Sequence, residues 1–167
     1  LIVTLYIYIG WKNDKKRLGN IVHLLSERSY YVSNGKYFSQ TRHHLPWPIR
    51  HARLIQKYHA PIAGGRLHSS GILLKAPEGT PIHAIYAGKV VFAHWLRGYG
   101  LLVIIQHGKY YMSLYARAQS LYVKRNDTVK PGQTIATVGN TGGYQTPALY
   151  FEIRHNSQAV NPLIWLK

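Results

Sequence analysis

There is no cysteine in this 167-residue chain. Disulfides and thiolate metal sites are therefore excluded, and the sequence suits any compartment, including an oxidising one where a free thiol would be a hazard. Acidic residues are also scarce. Asp14, Glu27, Glu78, Asp127 and Glu152 stand against 21 lysines and arginines, which leaves a formal net charge of +16. Hydrolases commonly recruit a carboxylate as general base or metal ligand, and this chain has few to offer. The apolar opening LIVTLYIYIGW has 11 residues, where a membrane-spanning helix needs about 20. No helix-turn-helix, RRM or zinc-finger pattern accompanies the basic residues, which are scattered apart from the run KNDKKR, and no solenoid repeat is present. The positive charge favours an anionic partner such as nucleic acid, an acidic membrane surface, a cell-wall polymer or an acidic protein, or else is only a solvated surface.

What is present describes a folded domain. The chain is 46% hydrophobic and 16% charged, a globular rather than a disordered balance. It begins at Leu1, which reads as a fragment or a processed product. A signal peptide carries its positive charge before its apolar run, whereas here KNDKKR follows it. The opening therefore reads either as a membrane-proximal or signal-like remnant, or as a strand or helix covering part of the fold. Over residues 15–30, Leu18, Ile21, Val22, Leu24 and Leu25 recur at roughly helical spacing and predict a short helix or coiled-coil stub, which Gly19 weakens. SNGKYFSQTRHH reads as a linker. In LPWPIR two prolines flank Trp47 and exclude a helix. The predicted division is an appendage over 1–44 and a domain over 45–167.

Within the domain the texture changes to short strands cut by turns. GILLKA, TPIHAIYA, KVVFAHW, LLVIIQHG, YYMSLYA, QTIATVG and ALYFEIR predict strands. PEGT, AGK, RGYG, HGK, KPGQ and NTGG punctuate them. Gly98, Gly100, Gly142 and Gly143 are expected to be turn residues at positive φ. NTGG is not a phosphate loop, because no helix start follows it. Many closely spaced strands predict a mainly β fold, an antiparallel sandwich or partly open barrel with a short helical or extended N-terminal appendage.

The block order GILLKAPEGTPIHAIYAGKVVFA, GYGLLVIIQHGKYYMSLYA, VKPGQTIATVGNTGG, LYFEIR and AVNPLIWL resembles the LytM-type (lysostaphin-like) zinc peptidase domain over residues 45–167. LPWPIR before the blocks and QAVNPLIWL after them are most similar to the EnvC-type murein hydrolase activators. The resemblance implies three zinc ligands, a His, an Asp four residues later and the second His of a His-x-His pair. It also implies two assisting histidines, the first of that pair and one in a Tyr-x-His motif. Zinc catalysis needs such a ligand set with an open position for water. This chain carries Ser69 and Leu73 at the first two ligand positions and Tyr150 at the third. Arg117 and Ala148 stand at the assisting histidines. His68, beside Ser69, faces the other side of an extended segment. His107 falls where the family often carries a non-ligand histidine. His83, His94 and His155 read as structural, and His43, His44, His51 and His59 lack the i, i+4 spacing of a metal pair. No cofactor is expected.

The resemblance therefore implies a non-catalytic domain whose vacated groove binds. Ser70, Leu73, Tyr99, Tyr115, Arg117, Tyr150 and Arg154 are its expected lining, a mixture of aromatic and Arg residues typical of protein-binding centres. The partner implied is a zinc-dependent N-acetylmuramoyl-L-alanine amidase of the periplasm, freed from autoinhibition during septal peptidoglycan splitting. The alternatives are a peptidoglycan-binding wall anchor and a surviving zinc endopeptidase. Specific nucleic-acid binding would rest on charge alone and is not expected, and membrane association is left open.

Overall fold

Alternation along ALYFEIR sets the architecture, because side chains two apart on a strand share a face. The computed structural model describes residues 2–28 and 37–167. Leu149, Phe151 and Ile153 enter one core, while Ala148 and Tyr150 enter another on the opposite face. The strands are β1 (Arg53–Gln56), β2 (Pro61–Ile62), β3 (Leu67–His68), β4 (Ile72–Lys75), β5 (Pro81–His83), β6 (Gly88–Leu96), β7 (Gly100–Gln106), β8 (Tyr111–Leu121), β9 (Thr128–Val129), β10 (Thr134–Val138), β11 (Ala148–His155) and β12 (Gln158–Val160). Ten of them form one sheet along the path β1-β4-β11-β8-β7-β6-β9, with β10 joining β8 to β5 and β12 pairing with β11; β2 and β3 form a separate ribbon. The strand pairs are antiparallel, and the sheet path stays open. The mainly β, antiparallel prediction holds. The four glycines at predicted turns all have positive φ, between 67° and 96°.

The helix in the appendage is longer than the predicted stub over 15–30, of which residues 29 and 30 lie outside the described residues. A single helix, α1, runs over Ile2–Arg28, 27 residues through both the apolar opening and the basic run. Gly10 and Gly19 lie inside it, and each costs about 1 kcal/mol relative to alanine. Leu18 and Val22 are fully buried beneath the helix, and each contributes about 1.5–3 kcal/mol, so packing outweighs propensity. β1, β2, β3, β9 and β12 were not legible as strands because two to four residues carry no readable alternation. Of TPIHAIYA only Pro81–His83 is strand. Part of the predicted linker, residues 33–36, lies outside the described residues. In the remainder, Phe38–Thr41 forms a 3₁₀ turn.

Phe38 is 2% exposed. Its ring stacks on His107 at 4.8 Å between centroids and lies 4.9 Å from both Tyr111 and Trp165. Nδ1 of His107 is 2.7 Å from the Ala87 carbonyl, to which it donates. The Ser113 hydroxyl bridges His107 Nε2 at 2.6 Å and the Tyr115 hydroxyl at 2.9 Å. Burial pushes the imidazole pKa down to about 4, against a smaller opposing effect of the Ala87 hydrogen bond. Above pH ~6.5 neither the folded nor the unfolded imidazole is protonated, so the group has no effect on stability there. As pH falls from ~6.5 to about 4, only the unfolded chain takes up the proton, and stability is lost, by at most about 3 kcal/mol. Urea midpoints of the parent and His107→Gln should diverge in slope across that window alone. Equal pH slopes would refute the assignment.

Candidate functional site

α1 lies across the second face of the sheet. Tyr8, Trp11, Lys15, Leu18, Val22 and Leu25 recur every three or four residues, which places them on one stripe of a helix. Leu18 and Val22 pack in a cluster with Leu73, Leu102, Ile104, Leu114, Ala148 and Tyr150. The Lys15 ammonium donates to the His68 carbonyl at 2.6 Å, and the hydroxyls of Ser26 and Ser157 meet at 2.9 Å. Burial pulls the Lys15 pKa down, Glu152 acting in the opposite sense. Gly98 (φ +82°) lets the β6–β7 loop press against α1, since a Cβ there would run into the Asp14 carboxylate.

Between the amino-terminal half of α1 and the sheet is a pocket of about 290 Å³. Ser69, Ser70, Leu73, Tyr99, Arg117 and Tyr150 are brought together in its wall. Trp11, Asp14 and Lys15 close it from the helix side, with Gln56, Ile62, Gly98 and Tyr144 completing it. Strand register explains the meeting: Tyr150 pairs with Leu73 on one side and with Ala116 on the other. Arg117 has φ +65° and donates its backbone N–H to the Tyr99 carbonyl at 2.7 Å. This left-handed residue acts as a bulge. Ala116 before it faces the second core and Ala118 after it faces the first. Its guanidinium lies 3.3 Å from the centroid of the Tyr144 ring and 5.8 Å from that of Tyr150. Tyr99 and Tyr150 rings are 5.8 Å apart. Burial first, then the Glu152 charge, raises the pKa of both phenols, so each is a neutral hydrogen-bonding group.

Two expected lining residues are placed elsewhere. Tyr115 points to the first core, where its hydroxyl accepts from the Ile85 N–H at 3.0 Å. The reason is parity: it pairs with Phe151, a first-face residue, not with Tyr150. Arg154 does share the face of Ala148, but it lines a separate cavity with His23, Ser26 and Ser157. Its charge is already paired: Nε donates to Glu152 at 2.8 Å, and Nη1 donates to the Ser157 carbonyl at 3.0 Å. Glu152 is 0% exposed and accepts a second bond, at 2.6 Å, from the Tyr150 hydroxyl. Burial alone would lower the Arg154 pKa; the charge and hydrogen bond of Glu152 outweigh it and raise it.

The peptidase family M23 profile matches residues 67–162. That span holds β3 to β12, with Ser69, Leu73, Arg117, Ala148 and Tyr150 inside it. The chain belongs to peptidase family M23. Among curated M23-type relatives, the murein hydrolase activator EnvC of Escherichia coli is 48% identical over 120 residues, 72% of this chain and 28% of EnvC. The murein hydrolase activator NlpD of the same organism is 40% identical over 121 residues, 72% of this chain and 30% of NlpD. The chain thus spans less than a third of either relative. A zinc-containing peptidase from Vibrio cholerae superposes with a TM-score of 0.67 at 24% identity, over 74% of this chain and 39% of that one, which shows a shared fold.

The residues that the resemblance sets at the metal positions, Ser69, Leu73 and Tyr150, do not fit zinc. Leu73 offers no donor atom. The Ser69 hydroxyl donates to the Gly71 carbonyl at 2.9 Å. The Tyr150 hydroxyl is engaged by Glu152. The pocket lining brings together three phenols, a leucine and a guanidinium. Sequence reasoning missed Trp11, Lys15 and Tyr144 as parts of this site. The signal for the first two was available: the spacing 8, 11, 15, 18, 22, 25 continues across the apolar and basic halves of the N-terminal segment as one stripe. Tyr144 carried none, since its position follows from the NTGG turn and its hydroxyl donates to the Gly98 carbonyl at 2.6 Å.

Proposed function

We propose that this chain is a non-catalytic murein hydrolase activator of the bacterial envelope. Its partner is a periplasmic zinc-dependent N-acetylmuramoyl-L-alanine amidase, whose autoinhibition it relieves during septal peptidoglycan splitting. One observation carries the reading: the face that holds Leu73, Ala148 and Tyr150 seats a helix, and among the described residues no group of three or more His, Asp or Glu stands ready for a metal. A face that accepts the Leu18 and Val22 stripe of α1 suits an amphipathic helix of a partner, recognised by anchors three and four residues apart. The names of the curated relatives, murein hydrolase activators, agree with this. Activation then follows from tighter binding to the open amidase than to the closed one. α1 and the partner helix cannot occupy the face together, so α1 acts as a competitor in cis.

The test is dye release from labelled sacculi. The chain alone, with zinc added, should release no dye, and elemental analysis of the untagged protein should find no stoichiometric zinc. With an amidase present, dye release should rise above that of the amidase alone. One zinc per chain with chelator-sensitive release would restore the endopeptidase reading. Binding to sacculi without any effect on the amidase would favour the wall anchor that the +16 charge also suits.

A further inference from the structure

α1 is divided along its length as well as around its circumference. Its inward stripe is accounted for by the sheet. Its outward face is not uniform. Along the single stripe Ile2, Tyr6, Ile9, Asn13, Lys16 and Asn20, the first three side chains are apolar or aromatic and the next three are polar or cationic, all of them solvent-facing. Ile2 is 70% exposed, Tyr6 72%, and Leu5 and Ile9 44% each. A surface helix of a globular domain carries polar residues on its outer side; one that is apolar all round is normally covered by something apolar. Over these first turns the domain supplies little cover, mainly the Ala63–Gly65 turn and Arg66, whose guanidinium lies 5.6 Å from the Tyr8 ring.

The junction between the two halves has the character of a membrane interface. Trp11, which lines the pocket yet stays 37% exposed, stands at it, and tryptophan and tyrosine concentrate at the headgroup level of bilayers. Lys12, Lys16 and Arg66 lie exposed beside it, with Arg17 bridged to Asp14 at 3.0 Å. Clusters of cations next to an apolar segment are drawn to anionic lipid, and the whole chain carries +16. Ten residues of helix, from Ile2 to Trp11, extend about 15 Å. An amphipathic stretch of that length can lie along the headgroup–acyl boundary with its apolar face inward. Among the described residues no helix is long and apolar enough to cross.

We propose that the outward apolar face of the first three turns of α1 lies in the interface of an anionic bilayer, with Trp11 and the adjacent cations at the headgroups, and so holds the domain at a membrane surface. This inference stands on α1 alone and does not depend on an amidase partner.

Vesicle flotation of the full chain tests it. The parent should float with vesicles containing phosphatidylglycerol and less with vesicles of phosphatidylcholine alone. Leu5→Ser/Ile9→Ser, which alters only outward side chains, should lower partitioning at least about tenfold on both. Lys12→Gln/Lys16→Gln should leave the phosphatidylcholine value unchanged and lower the phosphatidylglycerol value by about fivefold for each lysine. Thermal transitions matching the parent would show that both variants fold. If Leu5→Ser/Ile9→Ser floats like the parent, binding is diffuse charge attraction and the proposal falls. It falls equally if the parent ignores vesicles and forms a dimer that the same two substitutions dissolve, because the occupant is then a second copy.

Discussion

Loosening α1 from the sheet should raise amidase activation at least about tenfold. Leu18 and Val22 are both 0% exposed, and their burial stabilises the docked helix by about 3–6 kcal/mol together. Leu18→Asp/Val22→Asp removes that and adds a desolvation cost. A binding surface open only part of the time has its affinity reduced by the open fraction, and ~1.4 kcal/mol is a factor of ten. Loss of about half the docking energy would therefore suffice. The readout is dye release from sacculi as a function of chain concentration, with the half-maximal concentration shifting down. A second variant lacking residues 1–36 removes the competitor and keeps Phe38 in its place against His107. A chain cut at Leu45 loses that ring, so its folding is the less certain test of a self-standing domain. If both variants give the parent's cooperative unfolding and activate no better than the parent, α1 is a structural cover and not a competitor. If the variants neither fold differently nor activate at all, helix-in-groove recognition is wrong.

Breaking the Tyr150–Glu152–Arg154 set should cost about 3–5 kcal/mol, a large part of the ~5–15 kcal/mol that holds a domain together. Arg154→Met leaves Glu152, wholly buried, with the Tyr150 hydroxyl as its remaining partner in this set. Arg154→Glu is worse, since it puts two carboxylates side by side on one strand face. The double variant Glu152→Leu/Arg154→Met should recover most of the loss, because apolar replacement of a buried pair is often neutral. Denaturant midpoints of Glu152→Leu, Arg154→Met and the double give the coupling energy. Additive effects within ~0.5 kcal/mol would show that the pair contributes nothing as a pair. This also changes what loss of activation in Arg154→Glu would mean. Arg154 was expected in the lining of the binding groove, but its charge meets Glu152 in its own strand, so unfolding is the simpler cause. Lys124→Glu, at an exposed turn with the same change in charge, is the control.

The long strands were legible because runs rich in β-branched and aromatic residues are cut by turn residues. LLVIIQ, YYMSLYA and ALYFEIR each place one set of side chains in each core, and turn glycines fall between them. The assignment of Tyr115 to the pocket failed on parity: neighbouring Tyr115 and Ala116 point to opposite faces, and only the pairing of Phe151 and Tyr150 with them decides which is which. Arg154 was placed on the correct face but given the wrong role, because an ion pair two residues along a strand has no signature beyond the two letters. The reach of α1 was hidden by its own composition. The apolar opening and the basic run look like different segments, while the stripe that unites them is visible only when the helical period is carried across the change at Lys12.

The buried carboxylate has a consequence for the history of the fold. Tyr150→His, a first step toward an imidazole at that position, would take from Glu152 the phenol that donates to it at 2.6 Å and cost about 1–3 kcal/mol for the unmet acceptor. Leu73→Asp, alone, would set a second carboxylate into an apolar cluster. Ser69→His would remove the hydroxyl that donates to the Gly71 carbonyl just before β4. Each single reversal weakens the fold before a metal could repay it, and no pair of them completes a ligand set. On the non-catalytic reading proposed above, the folding stability of this face therefore opposes each single step toward a zinc ligand set, and several such steps would have to be taken together.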